Sequence, residues 1–260
     1  MESFLYNFQT FLMILARIMG LFFVAPVFSS DSISTPYRIF LSFLITLIIF
    51  PVTFGYMMKV PESMGAYSLI ILSEVFIGVL IGFILTILFA AFQMAGEYFS
   101  VQIGFSYSET LDPVSQASVP VISTLKNLMG ILIFLVIGAH RLVIETIAIS
   151  FQRMSIINLS AEIQNGIFKT FEYAIGAMFL VAFKIALPVL GVLLLVVIAE
   201  ALMGKAAPQM NILQLSFPVK IMIGLVVLIL IIPLVELQMV RGFEIGLDQV
   251  QRLMKEWPSP

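Results

Sequence analysis

The chain has 260 residues, 61% of them hydrophobic and 11% charged, with a mean hydropathy of +1.12. Soluble domains carry about 25% charge, so a soluble globular protein is excluded and an all-α integral membrane protein is indicated. A net charge of -2 with a pI near 5.4 offers nothing to a nucleic acid, the absence of cysteine excludes disulfides and thiolate zinc sites, and a single histidine, His140, excludes a multi-histidine metal site within one copy.

Phe11 to Phe28 is apolar, interrupted by Arg17 and ended by Pro26. Only Glu2 precedes it with a charge, which is not the basic leader of a cleaved signal peptide, so the segment is expected to be retained. After the polar turn Ser29 to Pro36, Ile39 to Met58 is long enough to span, with Pro51 as a kink. Leu69 to Ala95 follows; it contains Glu74, and Gly78 with Gly82 forms a G-x-x-x-G spacing suited to close helix contact. Leu128 to Phe151 reads as one helix carrying His140, Arg141 and Glu145. Tyr173 to Met203, with Lys184, Pro188 and Glu200, exceeds the roughly 20 residues of one simple span. Gly204 to Ser216 is a polar loop, and Phe217 to Val240 completes the set with Lys220, Pro233 and Glu236. The tail from Arg241 is amphipathic.

A six-span hydropathy topology places Lys59, Arg141, Arg153, Lys169, Arg241, Arg252 and Lys255 on one side and only Arg38 and Lys205 on the other. That asymmetry predicts both termini in the cytoplasm.

Between the third and fourth apolar runs lies the interval from Gly96 to Pro120, which holds Glu97, Glu109 and Asp112 but no basic residue. A connection this long is functional or disordered, and its aromatic and β-branched content argues against disorder. It is expected to be an ordered, functional loop. Five ionisable residues lie well inside apolar runs: Arg17, Glu74, Lys184, Glu200 and Glu236. Each costs about 2.5–3.5 kcal/mol at a bilayer centre, so protein, partner subunits or a watery path must cover them. Ion pairing of Arg17 or Lys184 with Glu74 or Glu200 would fix helix register; a direct role in a conduction path is the other reading.

Catalytic signals are weak. His140 lies in an apolar run beside Arg141, no G-x-S-x-G turn exposes a serine, and Glu97, Glu109 and Asp112 lack the ligand spacing of a calcium loop. Asp112-Pro113 reads as a turn initiator, and the 15 methionines as packing. No enzyme activity and no cofactor are expected.

Several motifs, taken in order, resemble the FliR family of flagellar and type III secretion export-gate proteins, the T-type component of injectisomes. Ala25-Pro26-Val27-Phe28 followed by Arg38 is similar to the family's first loop. Gly96-Glu97, then Gln102-Ile103-Gly104 and Asp112-Pro113, is similar to its G-E-x-x-x-x-Q-x-G…D-P signature. Ala186-Leu187-Pro188, Ala207-Pro208-Gln209-Met210-Asn211-Ile212 and Phe217-Pro218 match a second signature. Four positions depart from the pattern: Ser100 and Ser216 stand where glycine is common, Lys205 replaces an arginine, and Glu200 is an added charge.

The resemblance covers nearly the whole chain and implies a single membrane domain over residues 1–260, of helical-hairpin fold. Within it, a P-like part over about 1–125 would be followed by a Q-like part over 126–260. It implies assembly with several P-type (FliP-like) and Q-type (FliQ-like) subunits, with the B-type (FlhB-like) switch protein alongside, in the inner membrane at the flagellar basal body. In such an assembly the apparent spans would not form a standard transmembrane bundle, and unfolded export substrates would cross through its pore. Residues 104–119 would be the plug that closes it, with Gly104, Phe105, Ser106, Tyr107, Leu111, Asp112 and Pro113 as its leading residues. The motifs point to the flagellar branch. The rival functions are an ion-coupled secondary transporter of a small solute, which predicts internal repeats that the sequence lacks, and a lipid-directed membrane enzyme, which needs a nucleophile or metal cluster that it also lacks.

Overall fold

A computed structural model describes residues 2–30, 33–56, 61, 63–104, 121–154, 161–209 and 212–257. Every regular element among them is helical: α1 (Glu2–Val24), α2 (Thr35–Thr53) with a 3-10 turn at Phe54–Tyr56, α3 (Met64–Ile103), α4 (Val121–Val136), α5 (Ala139–Arg153), α6 (Ala161–Ala206), α7 (Ile212–Leu230) and α8 (Ile232–Glu256). Four of these are long and apolar enough to cross a membrane by themselves, and up to six spans result if the pairs α4–α5 and α7–α8 each count as one. The chain is an all-α integral membrane protein.

Four boundaries differ from those expected, each for a local reason. The expected loop begins late, because α3 continues through Gly96–Ile103. Ala95, Phe99 and Ile103 are fully buried at helical spacing, and the Ser100 hydroxyl donates to the Gly96 carbonyl at 3.0 Å. The helix then stops at Gly104, whose φ of 97° is left-handed. The apolar run Leu128 to Phe151 is two helices, divided at Gly138, which caps α5 with φ 73°. In the opposite direction, Tyr173 to Met203 lies within one unbroken helix of 46 residues. At about 1.5 Å per residue, α6 is about 69 Å long, more than twice the ~30 Å hydrocarbon thickness of a bilayer. The last apolar run breaks at Ile231, where α7 and α8 meet at a 61° bend just before Pro233, which has no N–H to continue the ladder.

The helices form two compact units. The first gathers Met1–Leu88, Gly138–Gly176 and Glu244–Pro260. Its core is the crossing of α1 with the first half of α3, made through glycine. A Cβ at Gly78 would collide with the Arg17 carbonyl oxygen and one at Gly20 with that of Val75, so the backbones meet directly where the G-x-x-x-G spacing lies. Ile14, Ile18, Leu21 and Ile77 are wholly buried around this crossing. Phe11 of α1 packs edge-on against Phe43 of α2 at 5.4 Å between centroids. The buried stripe of α2 is Ser42, Thr46, Ile49 and Thr53, whose hydroxyls bond back to carbonyls four residues earlier. Its outer stripe, by contrast, is Phe40, Leu44, Leu47, Ile48 and Val52, all exposed. A helix with small polar groups inward and large apolar ones outward is built for lipid or for protein neighbours.

The second unit gathers Phe89–Ile137 and Ala177–Phe243. It is organised on four phenylalanines: Phe243 lies 5.5 Å from Phe89, 5.2 Å from Phe92 and 5.5 Å from Phe134. These edge-on and tilted contacts are the preferred geometries of aromatic rings. The amphipathic tail expected from Arg241 lies in α8 and, from Glu244, belongs to the first unit: Val250, Leu253 and Met254 are buried while Asp248 and Arg252 pair on the outside.

Candidate functional site

Arg17 is the largest fully buried side chain, 1% exposed, in the middle of an apolar helix. Its guanidinium is enclosed on every side by the first unit. Nε donates to Glu74 Oε2 of α3, Nη1 to Ser150 Oγ at 2.9 Å, and Nη2 to the Met154 carbonyl at 2.9 Å. Phe151 closes the site with its ring face, 4.1 Å from the guanidinium carbon. Glu74 is 3% exposed and reaches Arg17 because Gly78, one turn along α3, lets the α3 backbone press against the α1 backbone at Arg17 and Leu21. Ser150 and Phe151 lie in the last turn of α5, whose C-cap residue Met154 leaves its carbonyl outside the helical ladder and free to accept. Four hydrogen-bonding and aromatic partners thus neutralise and satisfy one cation.

The second unit holds a different pair. Glu200 of α6 accepts from Ser216 Oγ at 2.7 Å through Oε1 and pairs with Lys220 Nζ at 3.0 Å through Oε2. The Glu200 side chain is 10% exposed and that of Lys220 is 21%. Glu200 and Ser216, two positions at which the sequence is expected to depart from the family pattern, are in direct contact, so the carboxylate has its hydroxyl donor beside it. A small apolar crevice lined by Met203, Leu215 and Val219 flanks them.

Lys184 and Glu236, expected to be buried, are exposed on the single chain and make no ion pair among the described residues. The long helix α6 turns Lys184 away from the packed side that carries Glu200, and Glu236 lies beside a shallow apolar groove of about 250 Å³ formed with Leu132, Ile133, Val136 and Val240. Among the motif residues, Gly96 is buried in α3, Glu97 exposed and Gln102 half-buried two residues before Gly104. Pro188 is accommodated inside α6. Ala207, Pro208 and Gln209 form the turn after α6, with Pro218 in the second turn of α7. Phe105, Ser106, Tyr107, Leu111, Asp112, Pro113 and Asn211 lie outside the described residues. His140 is half-buried, with Nδ1 unpartnered among the described residues. No group of three metal-ligating side chains occurs among the described residues.

Sequence reasoning did not single out Ser150, Phe151 and Met154. Their spacing on one side of a polar helix end was the available signal, and it gains meaning only once Arg17 is known to point there.

A family model described as bacterial export proteins, family 1, matches residues 8–245. The chain is 28% identical to the flagellar biosynthetic protein FliR of Bacillus subtilis over 258 residues, 98% of each chain. It is 30% identical to the FliR protein of Pectobacterium carotovorum over 84% of this chain and 82% of the relative. With FliR of Escherichia coli the identity is 26%, over 85% and 83%. The chain belongs to the bacterial export proteins, family 1, alongside these FliR relatives.

Proposed function

We propose that the chain is a non-enzymatic subunit of the flagellar type III protein export gate, set in the bacterial inner membrane at the basal body. The match to the export family across residues 8–245 carries this reading. The architecture supports it. The spanning window of α2 is 17% buried within the chain and that of α6 is 33% buried, so both helices offer apolar flanks to neighbours. Helices of 40 and 46 residues are also far longer than one bilayer crossing needs. P-type and Q-type subunits, with the B-type switch protein, are the neighbours we assign, and the chain's P-like and Q-like parts would continue their helical array.

Within that assembly, residues 104–119 form the plug. The segment starts at the left-handed Gly104 that ends α3. Phe105, Tyr107 and Leu111 exclude water as a hydrophobic constriction does, Pro113 shapes the far end, and Ser106, Ser108 and Ser115 let the segment hydrate once a passing chain displaces it. Co-expression of the tagged chain with P-type and Q-type subunits from the same genome, followed by mass measurement in mild detergent, tests the assembly. Several partner copies per chain are expected; a solitary chain that carries solute into proteoliposomes would overturn the assignment.

A further inference from the structure

Helix α6 has two unlike faces. On one, Val181, Ala182, Ile185, Ala186, Val189 and Leu193 are buried and Glu200 is paired. On the other, Leu180, Lys184, Leu187, Gly191, Leu195 and Ile198 recur at intervals of three and four residues, all exposed, within a single stripe. Two members of that stripe meet no partner among the described residues. Lys184 has no ion-pair partner among the described residues, and it sits 11 residues from one end and 19 from the other of the apolar run Tyr173 to Met203. The nearer end is about 16 Å of helix away, so the ammonium lies within the apolar stretch and not at its edge. Gly191 weakens a helix interior, yet a Cβ there would meet nothing within 4 Å. The contrast with Gly20 and Gly78, each pressed against the backbone of another helix, shows what such a residue does when its partner is present.

We propose that this face of α6 docks a membrane-spanning helix of another gate subunit, that this helix carries an aspartate or glutamate opposite Lys184, and that its backbone seats against Gly191. The inference rests on the proposed export-gate function and names the chemistry of one contact within it. A lone ammonium at this depth selects a carboxylate, because a protein anion can be held at any level whereas lipid phosphates are confined to the headgroup layers. The missing Cβ lets two helices approach until their side chains interlock, so the ion pair forms shielded from lipid.

The test uses the tagged chain co-expressed with P-type and Q-type subunits and purified in mild detergent, with p-benzoylphenylalanine in place of Leu187 or Leu195. Ultraviolet adducts are expected on one helix of one partner, in a peptide that contains Asp or Glu. Lys184→Glu should lower the amount of that partner recovered by at least about tenfold, as loss of a buried charge pair does. Changing the partner's carboxylate to lysine should restore it. Gly191→Leu should also lose the partner, while the melting temperature of the purified chain alone does not fall, because the space above Gly191 is open and leucine is the better helix former. Adducts confined to lipid, to a second copy of this chain, or to its own segment bearing Glu109 and Asp112 would overturn the proposal, as would undiminished recovery with Lys184→Glu. If the P-type and Q-type subunits co-purify but the adducts bypass them, the chain remains a gate subunit and only this contact fails. If neither subunit co-purifies, both fail.

Discussion

Replacing Arg17 with methionine should be among the most damaging single substitutions in the first unit. Methionine keeps most of the apolar stem, so the loss is chiefly polar. It strands Glu74, 3% exposed, without its cation, removes the donor to the Met154 carbonyl, and takes the guanidinium off the Phe151 ring. Ser150 is less affected, because its hydroxyl also donates to the Ile147 carbonyl at 2.7 Å. Breaking a buried pair in this way costs about 3–5 kcal/mol. Against a total stability of about 5–15 kcal/mol, that brings the fold close to its limit. Removing both charges is a different perturbation, since an apolar pair needs no compensation, and Arg17→Met/Glu74→Leu should recover at least about 2 kcal/mol of the loss. The single tryptophan, Trp257, is buried in the same unit as the pair and reports its unfolding by fluorescence in detergent. A loss below about 1 kcal/mol for Arg17→Met, or a double variant that loses the sum of the two singles, would refute the reasoning. The double variant also separates the two roles open to this pair. If it melts like the parent and supports secretion, the charges fasten helices; if it melts like the parent and secretion stops, they serve the export path.

Four further outcomes are expected. Gly78→Ala places a methyl group against the Arg17 carbonyl and should cost about 1–3 kcal/mol by the same fluorescence melt, whereas Gly166→Ala, with open space around it, should gain about 0.5–1 kcal/mol. Gly138→Ala forces a side chain into a left-handed position and should cost about 1–2 kcal/mol, seen as a lower denaturation midpoint. In the second unit, Lys220→Met leaves Glu200 with Ser216 alone and should cost about 1–2 kcal/mol, less than at Arg17 because Lys220 is partly exposed. Deleting Ser106–Leu111 should raise ion conductance through the assembled complex in planar bilayers without reducing its yield, and conductance equal to the parent would remove residues 104–119 from the role of seal.

The apolar runs, the G-x-x-x-G crossing and the intramembrane charges were legible because each depends on composition or on spacing within one segment. Boundaries that depend on distant partners were not. Gly96–Ile103 reads as polar, with Glu97, Tyr98, Ser100 and Gln102, yet it is helical, with the intervening Phe99 and Ile103 fully buried and Ile103 lying against Gly224, far along the chain. Gly138 is one glycine in an apolar run that also contains Gly130; only the first adopts a left-handed φ, while the second lies against Phe92 inside a helix. Residue type alone does not separate these two uses. Pairing of charges was open for the same reason: Arg17 and Glu74 are 57 positions apart, and only the α1–α3 crossing makes them neighbours.

The intramembrane charges divide by whether the chain satisfies them itself. Arg17 with Glu74 and Glu200 with Lys220 are closed pairs, each on the packed side of its helices, and each is completed by a serine hydroxyl. Lys184 and Glu236 are open, and both lie on apolar surface that the described residues leave uncovered. The division follows from where each residue falls on its helix. Lys184 and Glu200 belong to the same helix, and sixteen residues of α6, at about 100° each, turn their side chains to nearly opposite sides. A single long helix therefore presents one charge inward, to hold its own hairpin partner α7, and one outward, with no ion-pair partner among the described residues. For a chain that worked alone in lipid, the outward lysine would be a persistent cost with no return. For a chain built into a larger assembly, as proposed above, it is the point at which a neighbour's carboxylate would decide which helix docks and at what height.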